Sequence, residues 1–248
     1  MKLFFLLLAF LLSYNSINAQ ETLTWQEQFD LYSQAHLEYT SSRQAYQNYQ
    51  TLTTREQAIK DTKKVLWERN ETLKKYLDQL IADLSAFGKI HNPNPEELAS
   101  QLAVWQSWLS GQQSQIDQLN NITDINDYSK LWEKKYPELE LLIYRALTTH
   151  ATSQQSQSLT KTEALVQEIS AYPDQSLLTQ KWLGETTIKT DLIRQKLEKA
   201  HLIINPLNTY QSQYDRLWTK TKEELLAAAN YHLEILSHLE EIITYLPQ

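Results

Sequence analysis

A long heptad repeat in the first third of the chain constrains the fold more than any other feature. Between Arg55 and Phe87, apolar residues recur at strict seven-residue spacing: Ile59, Leu66, Leu73, Leu80 and Phe87. The same face is widened by four further residues: Val65, Tyr76, Leu77 and Leu84. A repeat of seven favours long helices that lie side by side with a slight left-handed supercoil. This segment therefore predicts one long amphipathic helix packed against others.

The turn-forming residues extend this prediction to the whole chain. Only three glycines and six prolines occur among 248 residues, none of which is cysteine. A sheet protein of this size needs more glycine for its turns, whereas long helices need little. The sequence predicts an all-α fold, an elongated bundle of long antiparallel helices with coiled-coil-like packing.

The N-terminus predicts export. Leu3 to Leu12 is an uninterrupted apolar run after Met1-Lys2, and Ser13 to Ala19 is a more polar exit that favours cleavage before Gln20. An apolar run of about ten residues is too short to span a bilayer. We therefore expect a signal peptide over 1–19 and a single extracytoplasmic helical domain over 20–248. Its location would be periplasmic, at the cell surface or secreted.

Charge and cysteine content exclude several classes of function. Without cysteine, the chain can form no disulfide, thiolate metal site or thiol nucleophile. The net charge of −7 provides no general basic field for nucleic acid. It also argues, with the lack of a strongly basic amphipathic helix, against strong membrane-surface binding. We predict another envelope or surface protein as the partner, with a glycan or small molecule as the alternative.

The helix boundaries are predicted from local breaks. A first helix is expected over about 23–52. The chain then kinks, continues into the second helix as one rod, or starts a new helix with a capping box at Thr54 and Gln57. Pro137 is expected to begin a fresh helix. The polar stretch 150–162 is interpreted as a poorly buried helix, with a loop or a weak domain division as open alternatives. Further breaks are expected at Gly88, at the turn 91–95, at 120–124, at 172–174 and at 205–206.

Motifs that carry chemistry are missing from the sequence. It has no H-E-x-x-H, no glycine-rich phosphate loop and no G-x-S-x-G elbow. Two His/Glu pairs lie one helical turn apart, His201 with Glu198 and His238 with Glu241, a spacing that helices also produce by chance. We predict no catalytic residue, no cofactor site and no metal site, and therefore a non-enzymatic protein.

Aromatic residues give the candidate binding positions. Tyr32, Tyr39 and Tyr46 lie a heptad apart on the first helix, and Trp105 and Trp108 lie three residues apart on adjoining faces of another. Periodicity favours a packing stripe for the tyrosines, with a ligand groove or partner surface as the alternative. At least one of the two tryptophans is expected to be exposed for a ligand or partner.

One stretch of the chain resembles a known group of proteins. The run TREQAIKDTKKVLWERNETLKKYL, Thr54 to Leu77, together with the signal peptide and the Tyr-spaced first helix, is similar to secreted, Tyr-rich helical proteins of candidate-phylum bacteria. The similarity covers roughly residues 23–88. It implies a bacterial origin and a helical form, and it assigns no site residues.

The sequence as a whole predicts an exported, non-enzymatic helical-bundle protein with a structural or protein-interaction role at the cell envelope or surface. The alternative is an extracytoplasmic glycan or small-molecule binding protein, and a hydrolase using scattered acids is a weaker one. Both the binding protein and the hydrolase require the tryptophan pair or the His/Glu pairs to converge in a concave pocket.

Overall fold

Six long helices account for nearly all the residues that the structure describes. The structure is a computed structural model, and it describes residues 23–86, 95–171, 177–205 and 213–245. The helices are α1 (Trp25–Tyr49), α2 (Leu52–Ser85), α3 (Pro95–Asp117), α4 (Ile122–Ser170), α5 (Leu177–Ile204) and α6 (Tyr214–Tyr245). No strand occurs within these ranges. The predicted all-α bundle is confirmed.

The helix is interrupted at Gln50, between α1 and α2, although no glycine or proline lies near this position. Gln50 takes the left-handed conformation with φ of 48° and ends α1. The Thr51 hydroxyl then accepts a hydrogen bond from the Thr54 N–H at 3.2 Å, and the Thr54 side chain accepts one from the Thr51 N–H. The predicted capping box at Thr54 and Gln57 is therefore wrong by one turn.

The long helix α4 runs without interruption through Pro137. The expectation of a fresh helix at Pro137 is wrong, because the residue lies inside a helix of 49 residues. Proline removes one backbone hydrogen bond from a helix interior. Here Pro137 is itself buried, with Tyr128 buried before it and Leu139 after it, so packing on both sides of Pro137 holds the helix together. At 1.5 Å per residue, α4 is about 74 Å long.

Two apolar cores lie along α4. The first joins α1, α2, α3 and the first half of α4, and Leu77, Leu102 and Leu139 are fully buried within it. The second joins the later part of α4 to α5 and α6 around Ile193 and Ile235. The bundle is thus organised along one shared helix, which gives the elongated form that the heptad pattern predicts.

The stretch 150–162 is helical and more buried than predicted. Thr152 and Ser153 are at most 2% exposed, and Thr162 is also buried. Their hydroxyls find acceptors on the same helix, as in the bond from Thr152 Oγ1 to the Thr148 carbonyl at 2.8 Å. The predicted helix is confirmed. Its first turn is more buried than expected, whereas Leu159 is the only buried residue within 154–161.

The predicted seam of α2 lies in two apolar clusters: Leu73 and Leu80 are in the first core, and Leu66 is in a smaller cluster with Ile116 and Tyr128. Leu66, Leu73 and Leu80 are buried and Ile59 is half-buried. Some predictions fall outside the described residues: those for the signal peptide, for Phe87 and Gly88, for the turn at 91–94, for the closing turn at 172–174 and for Pro206. Among the helices within the described ranges, none is long and apolar enough to cross a membrane.

Candidate partner-binding groove

A shallow groove of about 290 Å³ lies between α3 and α4. The short turn between Asp117 and Ile122 makes the two helices neighbours, as such turns do in helical hairpins. The groove is lined by Gln101, Val104 and Trp105 from α3 and by Glu138, Leu141, Leu142 and Arg145 from α4. It is thus an apolar surface with three polar side chains beside it.

Val104 and Trp105 form the α3 side of the groove. Val104 is 69% exposed, a high value for a large apolar residue on a well-packed helix. Trp105 packs partly against the first core through Leu102 and its neighbours and keeps part of its surface open to the groove. An apolar side chain of a partner placed here would bury both residues, as at the centre of protein interfaces.

Arg145 gives the groove its charge. It makes no ion pair among the described residues, and its Nε is buried without a hydrogen-bond partner. Glu138, in contrast, is paired with Lys135 at 3.2 Å, and Gln101 donates to Glu97 at 3.3 Å. Arg145 is thus the charged group of the groove that has no ion pair among the described residues, and a carboxylate is the acceptor that fits a guanidinium best.

Behind the groove, four aromatic rings pack in a row. Trp105 and Trp108 meet edge to face with ring centroids 5.2 Å apart, and Trp108 stacks on Trp132 at 5.3 Å. Tyr136 follows at 6.1 Å from Trp132. The expectation that at least one of Trp105 and Trp108 is exposed is not met, because both are half-buried. They contact each other, and α4 extends this contact into a row.

The guanidinium of Arg69 lies 3.8 Å above the Trp132 ring. Burial is the main effect on this group and lowers the pKa of Arg69, while the nearby phenols of Tyr128, Tyr32 and Tyr136 act in the opposite direction. Its Nη2 donates to Asn70 Oδ1 at 3.3 Å, and its Nε has no partner. Arg69 forms no ion pair within the described ranges, so the aromatic ring stabilises a cation that carboxylates usually balance.

The predicted tyrosine stripe lies on α1, away from the groove. Tyr32 is buried, and Tyr39 and Tyr46 are half-buried. His36 lies between Tyr32 and Tyr39 with ring centroids 6.1 Å from each, so the stripe is a ladder of rings along one helix. Tyr32 is the member of the stripe that interacts electrostatically with Arg69, whose guanidinium lies over Trp132 of the aromatic row. The partner role of this stripe stays a prediction.

The two His/Glu pairs make their contacts with other helices. His201 shares a hydrogen bond of 2.7 Å with the Thr152 hydroxyl, and Glu198 lies near it along an open cleft of about 490 Å³ between α4 and α5. His238 lies 3.9 Å from Glu185 of α5 and stacks on Trp182. Within the part of the chain that the structure describes, no three His, Cys, Asp or Glu residues are placed to hold a metal ion.

A polar cluster that sequence reasoning missed joins α4 to α6. The Tyr144 hydroxyl lies 3.2 Å from Glu140 and 3.4 Å from Asp215, and its ring stacks on Trp218 at 4.9 Å. Burial raises the pKa of Glu140, and the Asp215 charge acts in the same direction. The phenol bridges both acids, so this cluster ties the two cores together.

Comparisons with protein-family models, with curated proteins and with solved structures return no match for this chain. The chemistry of the groove therefore has to be argued from its own residues. Val104, Leu141 and Arg145 were not singled out from the sequence. The only signal for them was the position of Val104 beside Trp105.

Proposed function

We propose that the protein is a non-enzymatic, exported helical-bundle component of the cell envelope or surface, and that it binds another protein at the groove between α3 and α4. The observation that carries this proposal is the combination of Val104, 69% exposed, with Arg145 on the opposite side, which forms no ion pair within the described residues. An exposed apolar patch bounded by an unsatisfied cation is a typical binding surface.

The groove also defines the chemistry of the partner. Its apolar lining accepts one or two aliphatic or aromatic side chains, and Arg145 selects a carboxylate close to them. The aromatic row of Trp108, Trp132 and Tyr136 supports Trp105 from behind. A rigid anchor loses little conformational entropy on binding, which favours affinity from a small contact area.

The test is cross-linked capture from cell envelopes, with mass spectrometry of the retained proteins. Val104→Asp and Arg145→Glu are the groove variants, and Leu37→Asp is the control, since Leu37 is 71% exposed on α1. We expect one envelope protein to be retained by the parent chain and by L37D. Its recovery should fall at least about 10-fold with V104D or R145E, the loss of one anchor contact.

Equal recovery with all three variants would contradict binding at the groove. Retention of no protein by the parent chain would contradict the interaction role itself. Circular dichroism of each variant establishes that it is folded. Val104 and Leu37 are exposed, whereas Arg145 is half-buried, so R145E enters the comparison only with an unaltered helical signal.

A glycan is the second candidate, favoured by the polar groups around Trp105. Sugars stack on aromatic rings and use amide, carboxylate and guanidinium groups for their hydroxyls, and Gln101, Glu138 and Arg145 supply all three. A glycan array separates the two candidates. Binding of a sugar that is lost with both Trp105→Ala and Glu138→Gln would replace the protein partner by a carbohydrate.

A further inference from the structure

Helix α6 carries two apolar stripes, and only one of them is buried. The first faces the second core and repeats at alternating spacings of three and four: Trp218, Thr221, Leu225, Ala228, His232, Ile235, Leu239 and Ile242. The second has the same alternation and consists of Leu226, Ala229, Leu233 and Leu236. Leu226 is 59% exposed, Leu233 64% and Leu236 46%. We call this second set the outer stripe.

The spacing of the outer stripe is that of a helix–helix seam. Residues that alternate by three and four along a helix are those that pack against a partner helix. At about 100° per residue, the outer stripe lies roughly a quarter-turn around α6 from the buried one, where a further helix has access. No helix among the described residues covers this seam, because Leu226 and Leu233 are more than half exposed and Leu236 is nearly half exposed.

The outer stripe is complementary to itself when two copies run in opposite directions. With Tyr231 at the centre, Leu226 faces Leu236 of the second copy, and Ala229 faces Leu233. The next positions outward on the same stripe are Lys222 and Glu240, and they also face each other. A parallel pair would instead place Lys222 against Lys222 and Glu240 against Glu240, which repels.

We propose that two copies of this chain associate through the outer stripe of α6, antiparallel, with two Lys222–Glu240 ion pairs closing the seam. This arrangement is a closed two-fold pair in which the same patch is used on both copies. Ala229 permits close approach opposite Leu233. The groove between α3 and α4 is formed by other helices, so this inference does not depend on the proposed function.

Sedimentation velocity on the full chain, purified as the producing cells process it, tests the association between about 1 and 200 µM. We expect a reversible dimer, and Leu233→Glu should raise its dissociation constant at least about 100-fold. Leu37→Glu adds the same charge at an exposed leucine of α1 and should leave it unchanged. A monomer throughout this range, or equal effects of L233E and L37E, would overturn the proposal.

A charge exchange tests the direction of pairing. Lys222→Glu alone and Glu240→Lys alone should each weaken the dimer, because each places like charges opposite one another. The double variant K222E/E240K restores opposite charges and should regain most of the affinity. Failure of the double variant to recover would overturn the antiparallel register.

Single thiols give an independent measure, since the chain has no cysteine of its own. Asn230 lies beside the stripe near its centre, so Asn230→Cys should form a disulfide-linked dimer on oxidation. Lys222→Cys should not, because 18 residues of helix, about 27 Å, separate the two copies of that position in the antiparallel pair. Cross-linking of K222C as efficiently as N230C would contradict the arrangement.

Discussion

Replacing Arg69 by methionine should stabilise this protein, although it removes the positive charge of a half-buried aromatic cluster. The guanidinium lies 3.8 Å over Trp132, donates a hydrogen bond of 3.3 Å to Asn70, interacts with the Tyr128 hydroxyl and leaves its Nε without a partner. Burial lowers the pKa of Arg69, so the folded state disfavours the charged form. Methionine retains much of the volume and carries no charge.

The magnitude follows from three contributions. The change loses a desolvated cation–π contact of about 2 kcal/mol and a long hydrogen bond of about 1 kcal/mol. It also removes the cost of burying an ion, which is several kcal/mol in real proteins. We therefore expect Arg69→Met to raise the free energy of unfolding by about 1–2 kcal/mol.

The matched change removes the ring and keeps the cation. Trp132→Leu leaves Arg69 buried without its main stabilising contact, which should cost about 3–5 kcal/mol. In the double variant R69M/W132L the uncompensated charge is gone, so the cost of W132L should fall by at least about 2 kcal/mol. This coupling separates the charge effect from the loss of packing at Trp132.

Urea denaturation followed by circular dichroism and tryptophan emission measures all three variants. With a slope of about 3 kcal/mol/M, R69M should raise the midpoint by about 0.3–0.7 M. The reasoning is refuted if R69M lowers stability as much as W132L does. In that case the contacts of Arg69 outweigh its desolvation.

Three further predictions use the same denaturation assay. Leu102→Ala in the first core should cost about 2–5 kcal/mol and Leu37→Ala on the surface under about 0.5, and similar costs would contradict the assigned burial. Pro137→Ala should add about 1–3 kcal/mol by restoring a hydrogen bond to the Glu133 carbonyl, and a loss would show that α4 needs its proline. Burial lowers the pKa of His232. The unfolded chain therefore binds more protons than the folded one just below the usual histidine pKa of about 6.5. The free energy of unfolding should consequently decrease as the pH is lowered through this range. His232→Asn should make that fall shallower between pH 7.5 and 5.5, and an unchanged slope would assign it to other groups.

The heptad seam predicted the long helices well because a seven-residue apolar repeat has few other solutions. Leu66, Leu73 and Leu80 are buried as the pattern requires. The junction at Gln50 was missed since its left-handed conformation is rare for residues other than glycine. The capping box of Thr51 and Thr54 begins α2 directly after it.

Local rules failed where tertiary packing overrides them. Pro137 starts a helix by its own preference, but burial on both sides of it keeps α4 continuous. The polar segment 150–162 was expected at the surface, yet threonine hydroxyls such as that of Thr152 bond to the preceding turn of the same helix. Such threonines enter a core at little cost, so polarity alone did not predict their exposure.

The candidate groove was half predictable. Trp105 and Trp108 stood out through their spacing, and the structure places them together in one aromatic row. Arg145 was not foreseen because its position opposite Val104 depends on how α3 and α4 align across their turn and past Pro137. Helix periodicity gives the face of each helix, whereas the alignment between two helices is set by the packing of both.

Site-specific photo-cross-linking from the groove tests the central claim most directly. A photoreactive amino acid placed at Val104 in living cells should form an adduct with one envelope protein, while the same group at Leu37, equally exposed on α1, should form none. Arg145→Glu combined with the label at Val104 should abolish the adduct. Equal adducts from both positions, or none from Val104, would contradict a partner at this groove.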